Sequence, residues 1–243
     1  MELIGKTALV TGAAKRVGRS IALALAKKGV NIVLHYRGSE AEAKTVASEI
    51  TALGVACNLV AADLAKATDI QRMLSDIKKK SLSVDFLINS ASIYFKTPVE
   101  TADEKQWDEL MTVNLKAPYL LSVTLGREMA KAKGGKIINI ADWSGFRPYK
   151  DFIAYCASKG GLITLTKSLA RDFAPKVYAN AVAPGPVLAP SDMDDKEKEA
   201  IAKTTALGRW GKPEDVANAV IFLLESDFVN GIVLVVDGGR SIV

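Results

Sequence analysis

Short apolar runs and longer stretches of helical periodicity alternate along the whole chain. The apolar runs cover residues 7–10, 31–35, 57–61, 86–89, 136–140, 177–182 and 232–236. Within each, apolar residues fall at nearly successive positions, which predicts strands buried on both faces rather than half-exposed ones. Helical spacing predicts helices over 39–53, 67–79, 101–132, 152–173 and 213–225, and Ile21, Ala24, Leu25 and Lys28 mark a further one behind the first strand. Regular alternation of this kind predicts an α/β fold with a parallel sheet of about seven strands between two helical layers. No Ser/Gly linker, internal repeat or low-complexity segment divides it, so one domain over 1–243 is expected. The one long irregular stretch, 184–192, carries Pro184, Pro186 and Pro190 and leads into a charged segment, 192–203. A loop that follows a strand in this way is a candidate lid over a site, or a solvated surface excursion.

Composition narrows the class. The 243 residues are 49% hydrophobic, ample for a buried core, yet no apolar stretch reaches transmembrane length. The opening residues 1–6 run straight into the first strand and do not read as a signal peptide. A soluble, cytoplasmic protein without a membrane partner is expected. With 2 cysteines, 1 histidine and no metal-ligand spacing, no metal site is expected, and Cys57 and Cys156 read as small reduced hydrophobes. The formal charge of +5 is spread along the chain without a basic stripe, which argues against nucleic acid and suits a phosphate-rich cofactor or a small anion.

Candidate chemistry begins at the first strand. Thr11-Gly12-Ala-Ala-Lys15-Arg16-Val17-Gly18 forms a glycine-bearing turn between strand and helix. Free backbone N–H groups there can point at a pyrophosphate, and the helix start adds about 0.3–1 kcal/mol for an anion. The spacing departs from Gly-x-Gly-x-x-Gly, and such turns also occur in purely structural units. Tyr155 and Lys159 stand four apart in a helical stretch, on one face of the same turn. An ammonium beside a phenol is expected to lower the tyrosine pKa from about 10, tuning a general acid worth about 10²–10⁴ in rate.

These residues stand in register with others: Asp63-Leu64, Asn89-Ser90-Ala91, Asn114, Pro184-Gly185 and Val236-Asp-Gly-Gly239. Together they make the chain resemble a short-chain dehydrogenase/reductase over essentially its full length. The resemblance implies a Rossmann-like, doubly wound, three-layer α/β/α fold, a small-molecule substrate and a homotetramer in which the 101–132 and 152–173 helices pack across subunits. It implies a cofactor site formed by Gly12, Lys15, Arg16, Val17, Gly18, Asp63, Leu64, Asn89, Ser90, Ala91, Tyr155, Lys159, Pro184, Gly185 and Val187. Asp63 would touch the adenine edge. Asn89 to Ala91 would support the central strand and the ribose. Asn114 would hold a water in a proton relay, and Lys159 would bind the nicotinamide ribose while steering Tyr155. Asp63 as a helix cap and Asn89 as a strand-end turn residue are the structural alternatives.

Two departures from the family's general pattern refine the resemblance. Arg16 stands where most members have glycine, and Asp142, thirteen residues before Tyr155, stands where most have a catalytic serine. Both are features of the pteridine reductase branch, which the chain also resembles at His35-Tyr36, Ser39 and Asn89-Ser-Ala-Ser92-Ile-Tyr94. That branch implies NADPH-dependent reduction of a dihydropterin or dihydrofolate, with Asp142, Tyr155, Lys159 and Asn114 as the catalytic set and Arg16, Ser92, Tyr94, Asp142 and Tyr155 facing the substrate. Tyr94 would sandwich the pterin against the nicotinamide, with Phe95 nearby, and core packing is the ordinary alternative for such an aromatic. An NAD site usually shows Asp or Glu about 20 residues beyond the glycine turn. Here His35, Tyr36, Arg37 and Ser39, with Lys15 and Arg16 near them, make a cationic pocket suited to the extra phosphate of NADPH. A broad carbonyl or 3-oxoacyl thioester reductase is the alternative, and a non-catalytic NADPH sensor a more distant one.

Overall fold

A computed structural model describes residues 2–190 and 193–243. Seven strands are present: β1 (Thr7–Val10), β2 (Asn31–Tyr36), β3 (Cys57–Ala61), β4 (Phe86–Asn89), β5 (Gly135–Ile140), β6 (Val177–Pro184) and β7 (Val233–Val236). All pair in parallel in one sheet of order β3-β2-β1-β4-β5-β6-β7. The parallel α/β sheet expected from the alternation is therefore present, in the Rossmann-like form that the resemblance implies.

The apolar runs serve two cores at once because successive strand residues face opposite ways. Ala8 and Val10 of β1 pack with Ile21 and Leu25 of α1 (Arg16–Lys27), Val46 and Ile50 of α2 (Glu40–Ala52) and Val220 and Leu223 of α8 (Pro213–Glu225). Leu9, between them, joins Ile70 and Met73 of α3 (Ala67–Lys79), Leu121 and Leu125 of α5 (Ala117–Lys131) and Leu169 of α6 (Ile153–Phe173). Each such side chain, fully buried, contributes about 1.5–3 kcal/mol, so both faces of the sheet are strongly held.

The predicted helix over 101–132 is not continuous. It begins at α4 (Glu104–Met111), where Asp103 and Gln106 close a capping box, and a π-helical turn at Thr112–Lys116 separates it from α5. Pro118 in the first turn of α5 has no N–H to donate back into the preceding turn, so the regular ladder cannot run through. Predicted strand ends were short at β2 and β6, which continue to Tyr36 and Pro184. Of the candidate lid, Ser191 and Asp192 lie outside the described residues; the charged segment behind it forms α7 (Asp195–Ala202). No helix among the described residues is long and apolar enough to cross a membrane.

β1 has β2 on one side and β4 on the other, so the chain winds away from it in both directions. The carboxyl ends of the strands on either side of such a switch leave a crevice, and the site lies there.

Candidate active site

A cavity of about 790 Å³ runs along the carboxyl edge of the sheet, from the turn after β1 to the first turns of α6. Its nucleotide end is shaped by close backbone approaches. Gly12 has φ +66°, and a Cβ there would lie 3.0 Å from the Cα of Ala91. A Cβ at Gly18 would fall 2.4 Å from the Gly12 carbonyl oxygen, so α1 can start against the turn only with glycine at that position. Thr11 ties the turn to the loop after β4: its hydroxyl accepts from the N–H of Ser90 at 2.9 Å and of Ala91 at 3.0 Å.

His35 has a different part from the one expected. Its Nδ1 accepts from the Gly12 N–H at 3.0 Å and its Nε2 donates to the Ala62 carbonyl at 3.1 Å, which fixes a neutral tautomer. Burial pushes its pKa down from 6.5 to about 4, against the opposing pull of the Ala62 carbonyl and the Asp63 charge. It braces the turn and adds no cation to it. Lys15 is paired with Glu42 at 2.7 Å. The cationic character that remains free at the end of β2 comes from Arg37, exposed and without an ion pair among the described residues, beside Ser39, whose hydroxyl makes no capping bond to α2. Tyr36, Asp63, Leu64, Ser90, Ala91, Val17, Pro184, Gly185 and Val187 line the cavity.

Arg16 occupies a left-handed backbone conformation, φ +53°, that a glycine would adopt without cost. Its guanidinium donates to the Leu188 carbonyl at 3.0 Å and so links the nucleotide turn to the loop after β6. That link explains what the arginine gains at a position otherwise suited to glycine.

At the other end of the cavity, Asp142 leaves β5 and caps a short 3₁₀ turn, Trp143–Gly145, its Oδ1 accepting from the Ser144 N–H at 2.8 Å. The Tyr155 hydroxyl donates to Oδ2 of the same carboxylate at 3.0 Å. Gly145 lets this turn press on α6, since a Cβ there would lie 3.1 Å from the carbonyl carbon of Lys159. Lys159, fully buried, donates to the Ile140 carbonyl at 2.9 Å and stands 5.6 Å from the centre of the Tyr155 ring. Burial lowers the lysine pKa from 10.5 to about 8, with the Asp142 charge opposing.

The expected lowering of the Tyr155 pKa is reversed. Burial raises it well above 10, and the Asp142 carboxylate adds to the rise. The lysine favours the phenolate, but desolvation and the nearer carboxylate outweigh it.

Two expected residues lie behind the cavity rather than on it. The Asn114 carboxamide, in the π-helical turn, is fully engaged by protein: Oδ1 accepts from the Ile93 N–H and the Ser92 hydroxyl, and Nδ2 donates to the Ile93 carbonyl and the Ser158 hydroxyl. This side chain clamps the loop after β4 to α6 and has no valence left for a relay water. Asn89 joins Ser122 and Asn139 in the interior, supporting the strand but not touching the cavity. Ser92 does line the cavity.

Aromatic residues wall the catalytic end. Tyr94 stacks on Phe152 at 4.6 Å and meets Tyr155 edge-on at 4.8 Å, while Tyr149 contacts Phe152 at 5.1 Å and Trp143 at 5.5 Å. Phe95 packs away from the cavity with Leu110 and Ala154. Trp143, Tyr149, Phe152 and Arg240 escaped the sequence reading. Arg240 follows the Val236-Asp-Gly-Gly239 motif directly, which is the one signal that pointed to it.

A nucleotide cradle at a sheet switch point, joined by one cavity to a buried Asp-Tyr-Lys cluster, is the arrangement of a dinucleotide-dependent oxidoreductase. Residues 12–241 match the family described as Enoyl-(Acyl carrier protein) reductase. The chain is 35% identical to 3-oxoacyl-(acyl-carrier-protein) reductase FabG of Staphylococcus epidermidis, over 97% of this chain and 99% of the relative. It is also 35% identical to 2-dehydro-3-deoxy-D-gluconate 5-dehydrogenase of Bacillus subtilis, over 98% and 95%. Among solved structures, the angucycline C-6 ketoreductase LanV with bound NADP superposes with a TM-score of 0.93 at 28% identity, covering 100% of this chain and 98% of that one. The chain belongs to the short-chain dehydrogenase/reductase family of oxidoreductases. These relatives carry the names of carbonyl and alcohol enzymes, and none of the three is a pteridine reductase.

Proposed function

We propose that the chain is an NADPH-dependent reductase of a carbon–nitrogen double bond in a flat bicyclic ring, a dihydropterin or the pterin of dihydrofolate. The observation that carries this reading is the Asp142 carboxylate held on the Tyr155 hydroxyl. A serine in its place would donate a hydrogen bond to a ketone oxygen as that oxygen becomes an alkoxide. A carboxylate only accepts, and it repels a developing alkoxide. It is matched instead to a substrate that presents ring or exocyclic N–H groups.

The cradle fits a dinucleotide because Gly12 and Gly18 leave backbone room that a Cβ would fill. Arg16 and the turn would take the pyrophosphate, Asp63 and Leu64 would border the adenine, and Arg37 and Ser39 would hold the 2′-phosphate. Bound there, the reduced nicotinamide supplies the hydride. The residues of this chain supply the proton. Burial keeps Tyr155 protonated at neutral pH, Asp142 aims its hydroxyl, and the Lys159 ammonium, still largely charged below pH 8, compensates the phenolate left when the proton moves to the ring nitrogen. Trp143, Tyr149, Phe152 and Tyr94 offer apolar faces to a flat ring and exclude water from it.

The second reading is reduction of a carbonyl, such as a 3-oxoacyl thioester or a sugar-derived ketone. Chain-wide similarity favours it, because the relatives at 35% identity are a 3-oxoacyl thioester reductase and a sugar-acid dehydrogenase by name. NADPH oxidation with dihydrobiopterin, dihydrofolate, acetoacetyl-CoA and a panel of ketones decides between the two. Pterin turnover supports the first; turnover of carbonyls alone establishes the second.

A further inference from the structure

The cavity holds a cation that neither the cofactor cradle nor the proton-donating cluster uses. Arg240 sits in the C-terminal 3₁₀ turn (Arg240–Ile242), with its guanidinium 4.5 Å from the centre of the Trp143 ring. The backbone that presents it is firmly held. The Asp237 carboxylate accepts from the N–H groups of Gly239 at 2.8 Å and Ser241 at 2.7 Å. Gly239, at φ +80°, brings the turn so close to the preceding loop that a Cβ would lie 2.7 Å from that of Ala206.

The two carboxylates that act on it have hydrogen-bond partners elsewhere: Asp237 the backbone donors, Asp142 the Ser144 N–H and the Tyr155 hydroxyl. Among the described residues Arg240 has no ion-pair partner, although it is half-buried in the cavity wall. The charged and phenolic groups that act on it are Tyr149, Asp142, Tyr94 and Asp237. None belongs to the nucleotide turn, which places Arg240 on the substrate side. A guanidinium held over an indole face makes that contact without using its N–H donors, which match a carboxylate or phosphate in a planar, two-point contact.

We propose that Arg240 is a specificity-determining residue that receives an anionic group, a carboxylate or phosphate, carried by the substrate away from its reacting bond. The assignment deepens the proposed function and rests on this cavity being the substrate site. It implies a preference for a ring with an acidic tail, such as a folate, over the same ring with a neutral one.

Calorimetric titration of the NADP⁺-loaded enzyme with folate and with biopterin tests it. Arg240→Gln should weaken folate roughly tenfold or more, the loss expected for a hydrogen bond to a charged group. Biopterin should stay within about twofold of the unmutated protein, and Arg240→Lys should recover part of the folate affinity. Equal weakening of both ligands, or of neither, overturns the assignment. If the unmutated enzyme binds neither pterin, the pterin reading fails by itself, and acetoacetyl-CoA against its uncharged N-acetylcysteamine thioester becomes the deciding pair under the same criteria. Should the variants not fold, the unmutated protein still decides. Its preference for the anionic member of the pair should shrink as salt rises from about 0.01 M to 1 M, and a constant preference overturns the assignment.

Discussion

The Tyr155 hydroxyl and the Asp142 carboxylate are joined by a 3.0 Å hydrogen bond between the first turn of α6 and the end of β5. The phenol is thereby aimed by an acceptor, in a place where a hydroxyl would instead share the substrate oxygen. With its pKa raised by burial and by that carboxylate, Tyr155 holds its proton until a substrate atom takes it. Tyr155→Phe removes the proton and keeps the ring that packs against Tyr94. We expect kcat to fall by about 10²–10⁴ while NADPH affinity, read by fluorescence titration, changes little.

Lys159 sets the alkaline limit. Its ammonium is held near pKa 8 by burial, with Asp142 opposing the fall. It is charged below that value and loses its charge as pH rises through it. The kcat profile should therefore decline above about pH 8, and Lys159→Met should be slow at every pH, with the alkaline limb lost. A limb that persists in the variant would assign it to another group.

His35 should make stability depend on acid. Its folded pKa of about 4 lies below the ordinary 6.5, so the native state resists a proton that the unfolded chain accepts. The stabilisation is complete above pH 6.5 and is lost as pH falls towards 4, by about 3 kcal/mol in all. Urea denaturation across that window should show the slope. His35→Asn, whose Oδ1 can take the place of Nδ1 as acceptor for Gly12 but which cannot gain a proton, should flatten it.

Arg37 is the free guanidinium at the end of β2 and carries the proposed preference for the 2′-phosphate. Arg37→Ala should raise the KM for NADPH about tenfold and leave that for NADH unchanged. Equal changes for both cofactors would remove Arg37 from that role.

Most of the fold was legible because strand and helix each leave a periodic signature. The strands 57–61 and 86–89 and the helices 67–79 and 213–225 stand where the pattern places them. The break between α4 and α5 was missed because the apolar spacing continues through it and only Pro118 marks the change. In the site, Tyr155 and Lys159 were found by helical spacing and Asp142 by the family resemblance, yet the direction of the tyrosine shift was not. A neighbouring lysine is visible along the chain; burial, and a carboxylate brought closer from 13 residues away, are not. Likewise His35 read as a cation until its two backbone partners fixed it neutral. Arg240 lies at the end of the chain and reaches Trp143 only through folding.

The most direct test exchanges the acceptor for the hydroxyl. With NADPH saturating, kcat/KM for dihydrobiopterin and for acetoacetyl-CoA should be measured in the unmutated enzyme and in Asp142→Ser. If the carboxylate on Tyr155 matches the site to a pterin, the unmutated enzyme turns over the pterin, and the serine variant loses roughly 10²-fold on it while holding or gaining on the thioester. An unmutated enzyme active on the thioester alone, with the serine variant no better at it, would contradict that match.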